Sequence, residues 1–281
     1  MTNRTMLVIG VGGLEGFHIA RRLLKEGYSV VGIDDDGKAK TRLEEHRLYV
    51  LTHPSFQLVQ MKRLNKKGLW RVLSEHPVHQ VIVCPNKDDL KKDPSIFRYE
   101  LTRDCLFVDQ IEPKREQLIT LNLPIKNRGD NSCIHLFAET VAGPWESGQS
   151  FFSTIVKMME EHKQVIETRN TDLIRLSFID DVVESTLRVI RLVENGETVR
   201  GSYRIEASDM ISMQGVWEAI NHPSHHMIIT LPDDEDLNRS ERLPTLSSLT
   251  GYKPETSFLE GLYAFLQWYK AYQTLIREGI R

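Results

Sequence analysis

Met6-Leu-Val-Ile-Gly10-Val-Gly12-Gly13-Leu-Glu15-Gly16 and, after one helix length, Ser29-Val-Val-Gly-Ile33-Asp34-Asp35 decide the fold of this chain. The apolar run Met6 to Ile9 reads as a buried parallel strand. It breaks into glycines at 10, 12, 13 and 16. A helical pattern follows, with Phe17, Ile19, Ala20, Leu23 and Leu24 apolar and Arg21, Arg22, Lys25 and Glu26 polar. Gly27 stands where a helix C-cap is expected. A second apolar run ends in Asp34. Strand, glycine turn, helix, strand and acid make one βαβ unit.

Each part of that unit has a mechanical reason. Gly10 permits a tight turn. Gly13 lets backbone approach a pyrophosphate, because no Cβ stands in the way, and Gly16 lets the helix pack closely on the strand. The helix N-terminus then offers free N–H groups and the positive end of its dipole to phosphate. Asp34 can accept hydrogen bonds from ribose hydroxyls and would repel a 2′-phosphate, so NAD is expected over NADP. The cofactor set is Gly10, Gly12, Gly13, Gly16 and Asp34, with Asp35 adjoining. A tight βα turn with no ligand is the bland alternative, and the surrounding strands and acid weigh against it.

Outward from this unit, 281 residues suffice for one large or two modest domains. Apolar residues at 40% and charged residues at 27% describe a globular chain. A net charge of −3 without a long basic run argues against nucleic acid as the main partner. Lys62-Arg63 and Lys66-Lys67 read as a solvated helix face. Cys84, Cys105 and Cys133 form no CxxC pair, so neither a zinc site nor a disulfide framework is indicated. No apolar stretch reaches the roughly 18 residues of a membrane span, and the first strand leaves no room for a signal peptide. A cytoplasmic protein is expected.

Along the chain, Ala39 to His46 reads as a short helix and Phe56 to Gln60 as a third strand. Leu64 to Ser74 reads as a helix and Gln80 to Cys84 as a fourth strand. The order is that of a Rossmann-like doubly wound parallel sheet, an α/β fold. Asp93-Pro94-Ser95 looks like a helix start, giving a helix to about Ile111. Gln117 to Leu121 is expected as the fifth strand and Cys133 to Phe137 as the sixth. Gly143-Pro144-Trp145-Glu146 marks a turn, so a nucleotide-binding domain over 1–142 precedes a smaller C-terminal α/β substrate domain over 143–281. Residues 178–206 are expected to pack partly back on the sheet. In that second part, helices are expected at Phe151–Glu161, Val182–Glu194, Ser212–Asn221, Thr245–Leu249 and Ser257–Ile276, with strands at Val165-Ile166 and Ser202–Glu206.

Read together, these residues resemble a family. Gly10-Val-Gly-Gly13-Leu-Glu-Gly16-Phe-His18 with Asp34 is similar to the cofactor segment of extended short-chain dehydrogenases/reductases, to which nucleotide-sugar epimerases and dehydratases belong. Gly143-Pro144-Trp145, Phe178-Ile-Asp180-Asp181-Val-Val and Leu249-Thr-Gly251-Tyr252-Lys253-Pro254-Glu-Thr256 also resemble family segments, as do Glu260-Gly261 and Trp268-Tyr269. The wording is nearest to UDP-glucuronate epimerases, and the likeness spans nearly the whole chain in order. It implies bound NAD and a nucleotide-sugar held by the C-terminal part, with Trp145 and Arg175 as substrate candidates. Arg175 is one position out of register with the family's arginine.

Departures from the family fall on the chemistry. The family's catalytic pair is Tyr-x-x-x-Lys on a helix after the fifth strand, where tyrosine moves the hydroxyl proton and lysine lowers its pKa. No tyrosine here has lysine four residues on; the nearest case is Tyr99 with Arg103. Arginine would bring the charge without lysine's donor geometry. With the fifth strand at Gln117–Leu121, only Asn122–Ser132 would remain for the catalytic helix, which reads as its deletion. Family members often dimerise through helices flanking this strand, so a homo-oligomer would have a changed interface. Glu15 replaces an apolar residue in the turn and either repels pyrophosphate or points to solvent.

Other clusters have bland readings. His222, His225 and His226 before Asp233–Asp236 match no strong zinc spacing, and no metal is expected. Asp180-Asp181 reads as a helix cap and first-turn charge rather than a catalytic pair. Phe265, Trp268, Tyr269 and Tyr272 read as core. Two functions stay open: a shortened NAD-dependent nucleotide-sugar epimerase or dehydratase, and a catalytically silent relative that binds NAD or a nucleotide-sugar as a regulatory or partner subunit.

Overall fold

The computed structural model describes residues 4–35, 40–61, 66–84, 104–109, 133–138, 140–147, 150–160, 174–197, 199, 201–212, 215–216 and 243–278. In order, these form β1 (Thr5–Ile9), α1 (Leu14–Lys25), β2 (Ser29–Asp35), α2 (Arg42–Val50), β3 (Phe56–Met61), α3 (Lys66–Glu75), β4 (Val78–Val83), β5 (Asp104–Asp109) and β6 (Cys133–Phe137). Then follow β7 (Thr140–Ala142), α4 (Phe151–Glu160), β8 (Ile174–Phe178), α5 (Ile179–Glu194), β9 (Gly201–Arg204), β10 (Asp209–Ile211), α6 (Leu246–Thr250) and α7 (Phe258–Arg277).

Strands β3-β2-β1-β4-β5-β6-β9 make one sheet in that order. The pairs from β3 through β6 are parallel. This is an α/β fold with Rossmann strand order. Chain order reverses between β1 and β4, and such sheets bind ligands in the crevice at that switch point. The strands are apolar because both faces are covered. Leu7, Ile9, Val31, Ile33, Val81 and Val83 pack with Leu69 and Val72 of α3. Met6, Val8, Phe17, Ile19 and Leu23 are wholly or almost wholly buried.

Residues 1–137 with 183–203 form one compact unit, and 138–182 with 204–281 a second. Within the first, the later part of α5 is bound to α1 by Arg191 to Glu26 at 2.9 Å and Arg22 to Glu184 at 3.4 Å. Within the second, β10-β8-β7 form a small sheet whose Leu176, Phe178, Ala142 and Ile211 pack with Phe152, Phe258, Leu262 and Phe265. The aromatic stripe of α7 therefore helps build this core: Phe265 is fully buried and Tyr272 is 8% exposed.

One correction changes the reading of the chemistry. The fifth strand is Asp104–Asp109, inside the stretch expected to be helical, and it lies between β4 and β6 with parallel pairing to both. A run as short as Cys105 to Val108 has no period that separates helix from buried strand, and the Asp93-Pro94 start signal extended the helix too far. The connection to β6 is therefore residues 110–132, well beyond the roughly dozen residues that a parallel crossover needs. The deletion inferred from a short Asn122–Ser132 link loses its premise. Gln117–Leu121, Val165-Ile166, the 222–238 stretch and most of Ser212–Asn221 lie outside the described residues.

Smaller differences have local causes. Helix α2 starts at Arg42 and runs to Val50 because Thr41 and Glu44 form a reciprocal capping box. Ser257 and Glu260 start α7 in the same way. Gly27, at φ 88°, follows the C-cap Glu26 in the left-handed conformation that ends α1. Strands β7, β8 and β10, at three to five residues, are too short for their pattern to register in the sequence.

Candidate nucleotide site

The glycine turn is stitched between two strands. Gly10 and Val11 N–H groups donate to the Ile33 carbonyl at 2.9 and 3.2 Å, and Cys84 N–H donates to the Ile9 carbonyl at 2.9 Å. Gly13 N–H donates back to the Gly10 carbonyl at 3.0 Å. Gly10 has φ 81°, and a Cβ there would stand 2.0 Å from the Cys84 carbonyl oxygen. A Cβ on Gly16 would stand 2.1 Å from the Gly10 carbonyl oxygen. These two glycines are needed by the protein's own backbone.

Gly12 and Gly13 differ in kind. A Cβ on Gly12 would meet the Asp34 carboxylate at 2.8 to 3.0 Å, so Gly12 lets the acid close over the turn. A Cβ on Gly13 would meet only the Gly10 carbonyl, at 3.2 Å. Gly13 is the N-cap of α1 and has no side chain to cap it. First-turn amides of such a helix suit an anion. The turn is thus a concavity kept free of side chains, with a helix N-terminus on one side and a carboxylate on the other. That arrangement fits a dinucleotide's pyrophosphate and ribose. Asp34 pairs with Gln60, and Asp35 closes β2 opposite Met61. Glu15 lies in the first turn of α1, half-buried.

Two cations join this site that the sequence reading did not include. Lys40 Nζ lies 3.1 Å from Asp34 Oδ2, and both side chains are about 15% exposed. Arg47, 4% exposed, donates from Nη1 to the Gly12 carbonyl at 2.9 Å. A buried guanidinium thus backs the glycine turn. The one sequence signal was the Thr41–Glu44 capping box, which fixes where α2 starts and hence that Arg47 lies within it.

In the second unit, the Gly143–Glu146 turn is built around a buried acid. Glu146, 2% exposed, accepts from Gly143 N–H at 3.2 Å and from Ser153 N–H, in the first turn of α4, at 2.7 Å. Trp145 holds φ 71°, an uncommon conformation for a bulky residue. Its ring lies 5.5 Å from Trp268 and 6.0 Å from Tyr272. Trp145, offered as a substrate residue, is thus part of an aromatic cluster. Arg175 sits half-buried in β8 opposite Met210.

Burial raises the Glu146 carboxyl from its ordinary 4.5 to about 7, outweighing the backbone hydrogen bonds that lower it. The folded chain therefore prefers the protonated form. The stability this preference confers is full below about 4.5 and is lost as pH rises to about 7. The shift corresponds to about 3 kcal/mol. Glu146→Gln should flatten that slope in urea unfolding measured from pH 4 to 8. An unchanged slope would show that another group carries it.

Asp180 is exposed and Asp181 is 3% exposed, so the two carboxylates have different surroundings. Asp181 accepts from Tyr252 Oη at 2.6 Å and from the N–H groups of Glu255 and Thr256 at 3.3 Å. Tyr28 is unsuited to proton transfer, because burial and then Glu194 push its phenol up to about 12. Tyr99 and Arg103 lie outside the described residues, as do His222 to Asp236. No tyrosine occurs between β5 and β6 in the sequence, and Tyr99 precedes β5. Among the described residues no cluster of His, Cys, Asp and Glu could hold a metal, and no helix is long and apolar enough to cross a membrane.

Known proteins give an independent view. Residues 6–98 match the model of the NAD dependent epimerase/dehydratase family. The chain is 23% identical over 336 residues to an uncharacterized 37.6 kDa protein of Escherichia coli O111:H-, covering 94% of this chain and 98% of that one. It is equally 23% identical over 337 residues to a probable UDP-glucuronate 4-epimerase of Rhizobium meliloti strain 1021, covering 94% and 96%. Its fold is similar to that of a UDP-glucuronic acid 4-epimerase mutant from Bacillus cereus, solved with a fluorinated UDP-glucuronic acid and NAD. The TM-score is 0.70 at 18% identity, over 95% of this chain and 99% of that one. The likeness to extended short-chain dehydrogenases/reductases of the nucleotide-sugar epimerase and dehydratase type therefore holds in sequence over the first part and in fold over nearly the whole chain.

Proposed function

We propose that this chain binds NAD at the glycine turn and a nucleotide-sugar in its second unit, as an epimerase/dehydratase-like protein. The observation that carries this reading is the turn itself. Gly10 and Gly16 are required by close backbone contacts, while Gly13 keeps an open helix N-terminus beside Asp34. Leu14 and its neighbours at the start of α1 would face the pyrophosphate, and Asp34 the adenosine ribose. NAD, when bound, would supply a hydride acceptor for transient oxidation of a sugar hydroxyl. The nucleotide-sugar reading draws on the relatives and on polar atoms in the second unit. Ser177 Oγ, Arg204 Nε and Glu206 Oε2 are buried with no hydrogen-bond partner among the described residues. Such atoms call for an occupant. A cytoplasmic location belongs to the same proposal and follows from the nucleotide-sugar reading.

A second reading has its own observation. The connection from β5 to β6 has room for a crossover helix yet holds no tyrosine. A chain without that proton-transfer group would bind the same ligands silently, as a regulatory or partner subunit. Calorimetry with NAD and a panel of UDP-, dTDP- and GDP-sugars separates the outcomes. We expect NAD to bind with a micromolar to submillimolar Kd. No binding at millimolar NAD would remove the cofactor claim and the enzyme reading, and would leave the silent reading to stand or fall on nucleotide-sugar binding. Binding with sugar turnover supports the enzyme, and binding without turnover supports the silent subunit. Tyr99→Phe divides the enzyme reading further: a loss of turnover by about a hundredfold or more would assign the proton transfer to Tyr99.

A further inference from the structure

We infer that Arg47 is the positioning residue of the glycine turn: by holding the Gly12 carbonyl it sets the turn for a pyrophosphate, and so controls dinucleotide affinity through the backbone. The inference rests on the dinucleotide reading above and deepens it. Arg47 is the one buried residue of α2, at 4% exposed, while Tyr49 and Val50 of the same helix are 69% and 43% exposed. A helix that leaves apolar side chains in water and buries an arginine is poorly suited to packing alone, because taking a charge out of water is expensive unless it is bound. Here it is bound to a backbone atom of the turn, with Nη1 donating to the Gly12 carbonyl at 2.9 Å.

That carbonyl belongs to the peptide that leads into α1. The N–H of the same peptide, on Gly13, donates to the Gly10 carbonyl at 3.0 Å, and the Gly13 carbonyl takes a helical bond from Phe17 N–H at 3.0 Å. Gly12 and Gly13 carry no side chains, so their backbone turns freely unless bonds hold it. Arg47 holds one end of the peptide and Gly10 the other. One guanidinium N–H is enough for this, and a bond from a charged donor is roughly twice as strong as one from a neutral donor. The setting makes the carbonyl's direction matter. A Cβ on Gly12 would meet the Asp34 carboxylate at 2.8 to 3.0 Å, so the acid already crowds this peptide, with Lys40 3.1 Å from it and Asp35 next in sequence. A Gly12 oxygen released from Arg47 would add an unpaired negative dipole beside that acid, where a diphosphate has to enter. The peptide could then turn, and with it the first amides of α1, which are the groups offered to phosphate. The adenosine ribose relies on Asp34 rather than on this peptide.

The test compares the full chain with Arg47→Met and Arg47→Lys, using calorimetry of NAD and ADP, and of adenosine in competition with NAD. Arg47→Met is expected to weaken NAD and ADP by about twentyfold or more and adenosine by less than about threefold. Lysine brings a charged donor without the guanidinium's geometry, so Arg47→Lys should fall between, about threefold to tenfold weaker for ADP with adenosine unchanged. Thermal unfolding without ligand shows whether each variant folds. Should Arg47→Met fail to fold, the same comparison on Arg47→Lys decides. A residue that only held the fold together would weaken adenosine and ADP alike, and that result overturns the inference. So does an ADP affinity that neither variant changes. If NAD and ADP do not bind to wild type, it is the dinucleotide reading that fails.

Discussion

Gly10→Ala is expected to cost the chain about 3–5 kcal/mol of stability and to abolish nucleotide binding. Gly16→Ala should lose binding at least a hundredfold at a smaller stability cost. At Gly10 two penalties coincide. A side chain at φ 81° costs about 1–2 kcal/mol. The new Cβ would also sit 2.0 Å from the Cys84 carbonyl oxygen, a backbone atom at the end of β4 that cannot rotate away. Relief requires β1 and β4 to part where the Cys84 N–H to Ile9 carbonyl bond joins them. Overpacking of this kind belongs to the most destabilising substitutions. At Gly16 the φ penalty is absent, but the Cβ would stand 2.1 Å from the Gly10 carbonyl. Helix α1 must then lift from the turn, and its amides leave the position that suits phosphate.

Gly27→Ala separates the two penalties. Gly27 has φ 88°, and a Cβ added there would have nothing within 4 Å, so it should show the conformational cost alone, about 1 kcal/mol. Urea denaturation of the three variants, with NAD calorimetry, measures both effects. If Gly10→Ala is no worse than Gly27→Ala, the close approach of Gly10 to β4 is not what the turn depends on.

The glycine turn was legible because its constraints are local: strand, turn, helix and acid lie within thirty-odd residues. Cys133–Phe137 was legible to its ends because polar or turn-forming residues bound it on the N-terminal side and apolar residues fill it. The fifth strand was not. Asp104–Asp109 becomes a strand because β4 and β6 flank it, and pairing between strands distant in sequence leaves no periodic mark in so short a run. That single misplacement produced the apparent deletion of a catalytic helix. With β5 in place, the crossover has room and what is missing is narrower: a tyrosine between the fifth and sixth strands.

Lys40 and Arg47 were illegible for a related reason. Both lie outside the βαβ motif in sequence, so their distance to Asp34 and Gly12 is set by tertiary closure and not by spacing. Glu146 was visible as a turn residue, but its burial depends on α4 folding over it. Motifs that fold with their own neighbours can be read from one chain. Charges recruited across a turn cannot.

Asp181→Ala is expected to destabilise the chain by about 3–5 kcal/mol, Asp181→Asn by about half of that, and Tyr252→Phe by about 1 kcal/mol. Asp180 and Asp181 read from the sequence as a helix cap and first-turn charge rather than a catalytic pair; both lie in the first turn of α5, and Asp181 also holds a neighbouring segment. Its carboxylate is 3% exposed and gathers three donors from one short segment: the Tyr252 hydroxyl at 2.6 Å and the N–H groups of Glu255 and Thr256 at 3.3 Å. That segment joins α6, closed by Gly251 at φ 69°, to α7, started by Ser257. Alanine leaves three part-buried donors without their acceptor, and an unmet donor costs up to about 1–3 kcal/mol where water cannot reach it. It also removes a negative charge from the first turn of α5, where the helix dipole favours one. Asparagine keeps one carbonyl acceptor and the shape of the side chain but gives up the charge. Tyr252→Phe removes one bond and leaves Asp181 two backbone donors. The order Ala, Asn, Tyr252→Phe in urea denaturation, at a pH where carboxylates are ionised, tests this arrangement. A catalytic carboxylate would give the reverse pattern, with stability within about 1 kcal/mol of wild type and sugar turnover lost.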